Sequence, residues 1–495
     1  MLKRFHAQKE KEYVYSFKLF GRGINNESDP RTLKLGEGEI CFNLTTNRGA
    51  IMSGMGISNF AMPESETDLE NDVVIPIRGN KVFNLWKLKW YNKHDDCNRY
   101  YLFYFNDEGY ACYDDLFQER WMTVVIQTGF TSTPYATYYR VGEEDGILLS
   151  GEGDSLVVVT GSNYQRVENA PKIINCCSHY GKFFAITADT RGSLIYVEDS
   201  NVLQWSDEKT KNLDFSDERG DLNKIISFND YLYIFRDFGI TEISEYGNDA
   251  EFSISHIYQS SAHIAPNSIA QSGDKIYFLE GSAIKSFNGN SVKEVQLNCL
   301  DILKGQNQSR AYGVCLDGKY YLACRGNFGD EQKIGCEASE SGYINNILLC
   351  LDIQSGKVEM LRGVDINEMV ALTNKYKSKI AICFNNENIG KIGQITNDGK
   401  LFGENLYGVW QSGTTDFEKP LQVKNIKKFS IQSSGDVEVV ISSDKTQKRF
   451  KVQGSDKIQE FVVNLSGRQF SFRIESQGGE NVDIGEFSLA VCFKK

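Results

Sequence analysis

The sequence predicts an all-β chain: a β-propeller of about six or seven four-stranded blades, irregular in places, plus a C-terminal antiparallel β-sandwich. Three observations carry this. First, a tight turn followed by an aromatic run recurs as Tyr180-Gly181-Lys182-Phe183-Phe184-Ala185-Ile186, Asn229-Asp230-Tyr231-Leu232-Tyr233-Ile234-Phe235, Gly273-Asp274-Lys275-Ile276-Tyr277-Phe278-Leu279 and Asp317-Gly318-Lys319-Tyr320-Tyr321-Leu322-Ala323. With Gly181, Asp230, Asp274 and Gly318 as markers, the steps are 49, 44 and 44 residues, which is the spacing of propeller blades. Second, aromatic content is 12%, with 44 Gly and 7 Pro and no long apolar repeat of helical period. That composition favours strands joined by glycine turns. Third, apolar residues between 423 and 493 alternate strictly with their neighbours. The alternative is one large irregular β-sandwich.

The clearest unit spans residues 193 to 247. Leu194-Ile195-Tyr196-Val197 and Val202-Leu203-Gln204-Trp205 flank Asp199-Ser200-Asn201 and are expected to form a hairpin, since Asn and Asp tolerate the positive φ of tight primed turns. A polar loop is expected from 206 to 221. Lys224-Ile225-Ile226-Ser227-Phe228, Tyr231-Leu232-Tyr233-Ile234-Phe235 and Ile240-Thr241-Glu242-Ile243 then follow with connections of two to four residues. Such short links make sequential antiparallel neighbours. A weaker fifth copy of the repeat is Lys377-Ser378-Lys379-Ile380-Ala381-Ile382-Cys383-Phe384, and an earlier one is Asn98-Arg99-Tyr100-Tyr101-Leu102-Phe103-Tyr104-Phe105.

Three regions are therefore expected: an N-terminal lead-in at 1–60, the propeller at 61–410 and the sandwich at 411–495, with 411–420 as linker. The lead-in holds an alternating stretch, Tyr13-Val14-Tyr15-Ser16-Phe17-Lys18-Leu19-Phe20, an Asp29-Pro30 turn and the strand-like Cys41-Phe42-Asn43-Leu44. Aromatic density is highest between 75 and 170, including Trp86, Trp90, Tyr100, Tyr104, Trp121, Tyr135, Tyr138 and Tyr139. Such residues fill the space between twisted sheets; a sugar- or base-stacking platform is the second reading. In the sandwich, Lys427-Phe429-Ile431, Val437-Val439-Ile441, Phe450-Val452, Phe461-Val463-Leu465, Phe470-Phe472-Ile474 and Phe487-Leu489-Val491 mark six or seven strands with one buried face each.

Net charge is −12, and the basic residues cluster only at Lys3, Arg4, His6, Lys9 and Lys11. A phosphate-neutralising surface for sequence-independent nucleic-acid binding is therefore missing. Twelve cysteines occur without a CxxC pair, and Cys315, Cys350 and Cys383 sit in apolar strand patterns where a thiol packs as a small hydrophobe. The start, Met1-Leu2-Lys3-Arg4-Phe5-His6, leads into charge instead of an apolar h-region. Reduced thiols and cytoplasmic synthesis are expected. No run of 18 apolar residues exists, so no membrane insertion is expected.

No catalytic constellation emerges, and the chain is read as no enzyme, with no cofactor and no metal. Ser206-Asp207-Glu208-Lys209 fits SxxK inside a densely charged stretch. Cys176-Cys177-Ser178-His179 offers thiolates and an imidazole to zinc without a second ligand pair nearby. Asp95-Asp96, Asp114-Asp115 and Glu143-Glu144-Asp145 read as solvated loop charge before calcium ligands or an acid/base pair. The histidines are His6, His94, His179, His256 and His263.

Two stretches carry a resemblance. Ile24-Asn25-Asn26, Asp29-Pro30, Leu33, Leu35, Gly36-Glu37 and Asn43 resemble the opening of phage tail nozzle (tail tubular protein B-like) proteins. Leu203-Gln204-Trp205-Ser206-Asp207, Asp214-Phe215 and the run from Ile225 through Phe235 to Ile240 are similar to a blade common in that group. The resemblance implies a virion structural protein, assembled in the host bacterial cytoplasm, that forms a homo-oligomeric ring, commonly a hexamer, below the portal and tail adaptor. It also implies a head-to-tail connector that serves as conduit for genome ejection, with viral DNA passing without specific binding. On this reading the loops at 206–221 and 326–346 are candidates to reach a neighbouring subunit. A monomeric cytoplasmic β-propeller binding a protein or glycan is the alternative. A glycoside hydrolase or lyase with Asp95, Asp96, Asp114 and Asp115 converging on a central channel is the third reading.

Overall fold

The structure is a computed structural model and describes residues 12–16, 24–33, 37–47, 49–60, 65–68, 73–76, 82–92, 97–106, 110–115, 120–127, 134–141, 144–151, 155–160, 163–168, 170–198, 205–246, 251–329, 340, 342–373, 378–385, 389–476 and 481–494. Among these residues there are strands and a few 3-10 turns but no α-helix, hence no helix long and apolar enough to cross a membrane.

Seven antiparallel sheets form a β-propeller. Blade one comprises Val82–Asn92, Cys97–Asn106, Tyr110–Asp115 and Arg120–Gln127, and blade two Tyr135–Val141, Glu144–Ser150, Ser155–Thr160 and Asn163–Glu168. Blade three is Ile173–His179, Lys182–Thr187, Ser193–Val197 and Lys211–Asp214, and blade four Leu222–Phe228, Tyr231–Arg236, Gly239–Tyr246 and Glu251–Gln259. Blade five is Ala270–Ser272, Lys275–Glu280, Ala283–Phe287 and Val292–Glu294, and blade six Tyr312–Leu316, Lys319–Cys324, Ile347–Asp352 and Val358–Arg362. Blade seven takes Ile366–Thr373, Ser378–Phe384 and Gly393–Thr396 from the C-terminal side and its fourth strand, Gly56–Asn59, from the N-terminal side.

The repeated turns sit where the spacing put them, between the first and second strands of blades three to six. Asn229 and Asp230 both have positive φ (49° and 66°), as do Tyr180 with Gly181 (45° and 78°) and Asp317 with Gly318 (49° and 73°), the geometry a two-residue hairpin matches to strand twist. The earlier and weaker copies fall on the second strands of blades one and seven. Blade two lacks an aromatic second strand; its Ile147-Leu148-Leu149 run is buried but aliphatic, which is why the repeat passes over it. Between blades, apolar faces pack in layers. Phe184, Ile186 and Leu194 of blade three, for example, share one cluster with Leu222, Leu232 and Ile234 of blade four.

One expectation for blade three falls on undescribed residues and one is corrected. Ser193–Val197 pairs with Lys211–Asp214, in register Ser193↔Asp214 to Tyr196↔Lys211; the expected hairpin turn and partner run at 199–204 lie outside the described set. The stretch 206–221 is accordingly no free loop. Its middle is the outer strand of the blade, and its end is clasped by Arg236, which is fully buried and donates to the carbonyls of Phe215 and Gly220 and to Asp217 Oδ2 (2.8 Å). In the second loop candidate, residues 330–339 and 341 lie outside the described set, while Asn346 Nδ2 donates to Gly326 O at 3.0 Å and Glu340 pairs with buried Arg362.

Below the propeller, two sheets make the sandwich. One orders Leu44–Asn47, Ala50–Ser53, Asp483–Phe493, Lys424–Ser433 and Ser455–Gly467, with Glu12–Ser16 added beside Asp483–Phe493. The other orders Gly38–Phe42, Gly408–Ser412, Phe470–Ser476, Val437–Ser443 and Gln447–Val452. Their shared core holds Phe429, Ile431, Val439, Ile441, Val463, Leu465, Phe472, Ile474, Phe487 and Leu489, the alternating set read from sequence. A bulge between Ile426 and Lys428 shifts the alternation, so Ile426 and not Lys427 joins that core.

The 1–60 region is therefore not a separate lead-in. Its strands at 12–16 and 38–53 belong to the sandwich, and the strand at 56–59 closes the propeller ring. Nor is 411–420 simply a linker, since Gln411 pairs with Arg473 and Ser412 with Gly38 in the second sandwich sheet. The chain passes from propeller to sandwich between Glu404–Asn405 and Gly408–Ser412. Asn43 locks the two units there. Its Nδ2 donates to Arg362 O (3.1 Å) in blade six and to Tyr407 O (2.9 Å), while its Oδ1 accepts from Arg362 N (2.7 Å).

Candidate functional site

The first strands of all seven blades line one central channel of about 830 Å³. Each boundary between adjacent blades is bridged near this channel by a side-chain hydrogen bond. Lys87 N donates to Tyr138 Oη (2.9 Å), Cys176 N to Thr137 Oγ1 (3.2 Å), and Ile225 N to Asn175 Oδ1 (2.7 Å). Lys224 Nζ donates to Ile269 O (2.7 Å), Tyr320 Oη to Ser268 O (2.8 Å), and Tyr312 Oη to Glu368 Oε1 (3.0 Å). Across the last boundary, where blade seven meets blade one, Glu368 Oε2 accepts from Asn84 Nδ2 (3.0 Å) and Leu85 N (3.2 Å).

A repeated backbone device places several of these groups. In blades one, three, four and seven the pairing of first and second strands slips by one residue near the start, between Val82 and Asn84, Ile173 and Asn175, Leu222 and Lys224, and Ile366 and Glu368. A bulge leaves one residue unpaired and re-aims its neighbour. In all four blades the re-aimed residue is the polar one that bridges to another blade, so the sequence cue is an apolar residue, one spacer, then Asn, Lys or Glu. Nothing in the turn-and-aromatic spacing marked these positions.

The charges on the channel wall differ from those of the whole chain. Among the described residues, the lining carries Lys87, Lys172, Lys224 and Arg310 against one carboxyl, Glu368, whereas the chain as a whole has net charge −12. Burial raises the Glu368 carboxyl to about 7 against its three hydrogen-bond donors. Burial likewise lowers the Lys224 ammonium to about 8, because loss of water disfavours each charged form. Cys315, beside Lys224, is pushed up to about 12 by burial, so it stays a thiol. Amides from Asn84, Asn175, Asn223, Asn267, Gln271 and Asn367 line the remainder, with the rings of Tyr135 and Tyr138, about half exposed at 50% and 54%.

Of the residues weighed for catalysis, none that is described stands among the channel-lining residues. Asp114 and Asp115 lie on the third strand of blade one, paired opposite Leu102 and Tyr101, away from the channel-lining first strand. Asp95, Asp96 and Glu143 lie outside the described residues, and Glu144 and Asp145 open the second strand of blade two. Cys176 and Cys177 are successive residues of a strand and so face opposite sides. The first donates to Tyr138 O at 3.3 Å, and His179 Nδ1 meets Ser227 Oγ at 2.9 Å. Among the described residues no group of three or more His, Cys, Asp and Glu is placed to hold a metal ion. Ser206 and Lys209 belong to the 3-10 turn ahead of Lys211–Asp214, with Lys209 N donating to Ser206 O at 3.1 Å. Of the aromatics between 75 and 170, Trp86, Phe103, Tyr104 and Tyr139 are core, and Tyr135 and Tyr138 face the channel.

Neither a family model nor a curated protein matches the sequence. Among solved structures, BamB from Moraxella catarrhalis is similar over 69% of this chain and 97% of its own, at 10% identity and a TM-score of 0.38. YCF48 bound to D1 peptide is similar over 69% of this chain and 98% of its own, at 12% identity and a TM-score of 0.40. BBS1N in complex with ARL6DN is similar over 65% and 94%, at 8% identity and a TM-score of 0.39. The propeller described above rests on this chain's own strand pairing.

Proposed function

We propose that this β-propeller protein is a structural subunit of a phage tail, a nozzle-like component that closes into a ring below the portal and adaptor and gives the genome its way out. Its partners on this reading are copies of itself, the tail adaptor and other tail proteins. The observation that carries the self-association is the outer face of the first sandwich sheet. Val14 pairs with Ala490, Ala490 with Lys428, and Lys428 with Val462, so these four side chains form one row across the sheet. Val14 and Val462 end that row and are each 73% exposed; Ile458, on the same face, is 54% exposed. Valines so exposed at both ends of one sheet face suit burial against a neighbour, and a head-to-tail contact whose rotation closes forms a ring. The residues that carry the resemblance also have a common task, since Asn26 N donates to Asn298 O (2.8 Å) and Thr414 N to Pro30 O (2.8 Å). With Asn43 they stitch the N-terminal segment across propeller and sandwich.

Light scattering with negative-stain imaging of the purified chain tests this. Closed particles with an axial hole are expected, and Val462→Asp should return them to monomers of unchanged circular dichroism. A chain that stays monomeric at every concentration, alone and with its tail partners, would overturn the ring. That result would leave the second reading, a monomeric propeller binding a protein or glycan, which the chemistry of the channel favours.

A further inference from the structure

Two strands of the first sandwich sheet each have a single neighbour. Among the described residues, Glu12–Ser16 pairs only with Asp483–Phe493, and Ser455–Gly467 only with Lys424–Ser433. Each keeps one side of its backbone without a strand partner, the condition in which a sheet extends by taking on another strand. The pairings that lead from one of these strands to the other are all antiparallel: Glu12–Ser16 with Asp483–Phe493, that strand with Lys424–Ser433, and Lys424–Ser433 with Ser455–Gly467. Four strands in alternation leave the first and the last running in opposite directions. A second copy set beside the first in the same orientation therefore brings its Glu12–Ser16 antiparallel to Ser455–Gly467. Copies in a ring keep that orientation when the ring axis runs along the strands.

The side chains select one register for this meeting. With Val14 opposite Val462, the two exposed valines cover each other on the outer face, and Ser16 falls opposite Glu460, a hydroxyl donor against a carboxylate. On the core face the same register sets Tyr15 opposite Phe461. Both rings are only partly buried and both already pack on the sandwich core, Tyr15 against Phe417 at 4.7 Å and Phe461 stacked on Phe429 at 4.9 Å between centroids. Cross-strand pairs of aromatic and of β-branched residues are the contacts that stabilise neighbouring strands. Sliding by two residues puts Val14 opposite Glu460 or Asn464 instead, and sliding by one turns the valines to opposite faces. Val463 O is already taken by Lys448 Nζ (2.6 Å), so the shared ladder runs from Val14 opposite Val462 to Ser16 opposite Glu460.

We propose that neighbouring copies of this chain join by continuing the first sandwich sheet, Glu12–Ser16 of one copy pairing antiparallel with Ser455–Gly467 of the next in the register that sets Val14 beside Val462. The inference rests on the ring reading above and supplies the contact that closes it. Its occupant is a second copy and not another tail protein, because the two edges complement each other in direction, in outer-face valines and in core-face rings.

Cross-linking tests it. Val14→Cys copies are mixed with Val462→Cys copies and treated with a short bifunctional thiol reagent, and the same samples are imaged by negative stain; directly opposite residues have Cβ atoms about 5 Å apart. Both positions are largely exposed, so each variant should keep the circular dichroism of the wild type. A product of twice the chain mass should form in the mixture and not in wild type or in either variant alone. Cross-linking of either variant with itself would show a two-fold contact and overturn the proposal. An equally strong product from Val14→Cys with Ile458→Cys would overturn the register. Closed rings that give no product would overturn the edge pairing and leave the ring standing, whereas particles that stay monomeric would overturn both.

Discussion

Glu368 Oε2 accepts a hydrogen bond from Leu85 N at 3.2 Å, across the boundary where the last blade meets the first. Ring closure therefore depends on a buried carboxyl, tied also to Tyr312 of blade six. Burial raises its folded pKa to about 7 from an ordinary value of 4.5, so folding favours the neutral form. That contribution is complete below the unfolded pKa and is lost as pH rises through 7, at most about 3 kcal/mol for the shift. Urea unfolding at pH 5 and pH 8 should show the loss, and Glu368→Gln should flatten the difference while keeping an acceptor for Leu85. An unflattened difference in that variant would assign it to other groups.

Asn43 supplies three buried hydrogen bonds at the joint from a backbone φ of 58°. Asn43→Ala leaves Arg362 N, Arg362 O and Tyr407 O without these partners and places alanine in the left-handed region. The expected loss is about 2–4 kcal/mol. Asn43→Gly relieves the backbone but not the bonds, so it should recover only part. Denaturant midpoints of the two variants separate the terms.

Arg236 is fully buried and clasps Phe215 O, Gly220 O and Asp217. Arg236→Leu removes the cation and leaves Asp217 to Arg219, at 3.3 Å. A cost of about 3 kcal/mol is expected, with faster protease cleavage between 206 and 221. Cleavage at the wild-type rate would show that the outer strand of blade three holds without the clasp.

Gly393 lies against the closing strand; a Cβ there would meet Ile57 Cγ2 at 2.6 Å and Phe384 Cζ at 2.9 Å. Gly393→Val should push Gly56–Asn59 off blade seven, costing about 1–3 kcal/mol. Amide exchange at residues 56–59 should quicken more than in blade four, whose strands are contiguous in sequence. Equal quickening in both would mean general unfolding and not release of the closing strand.

The sequence by itself determined the local part of this fold. Period-two alternation wrote the sandwich core from Phe429 to Val491, and turn chemistry at Asn229-Asp230 and Asp317-Gly318 wrote the hairpins, because both depend on residues a few positions apart. The tertiary structure alone decided what joins distant segments. It supplied the aliphatic blade two, the pairing of Gly56–Asn59 with Gly393–Thr396, and the use of residues 12–53 in the sandwich. Such pairings are chosen by the sum of many registers and by which exposed edge remains unsatisfied, and no local spacing records that sum. The channel was hidden for a sharper reason. A one-residue bulge reverses which side a strand residue faces, so Lys224 and Glu368 read as ordinary strand charges until seven first strands were brought around one axis.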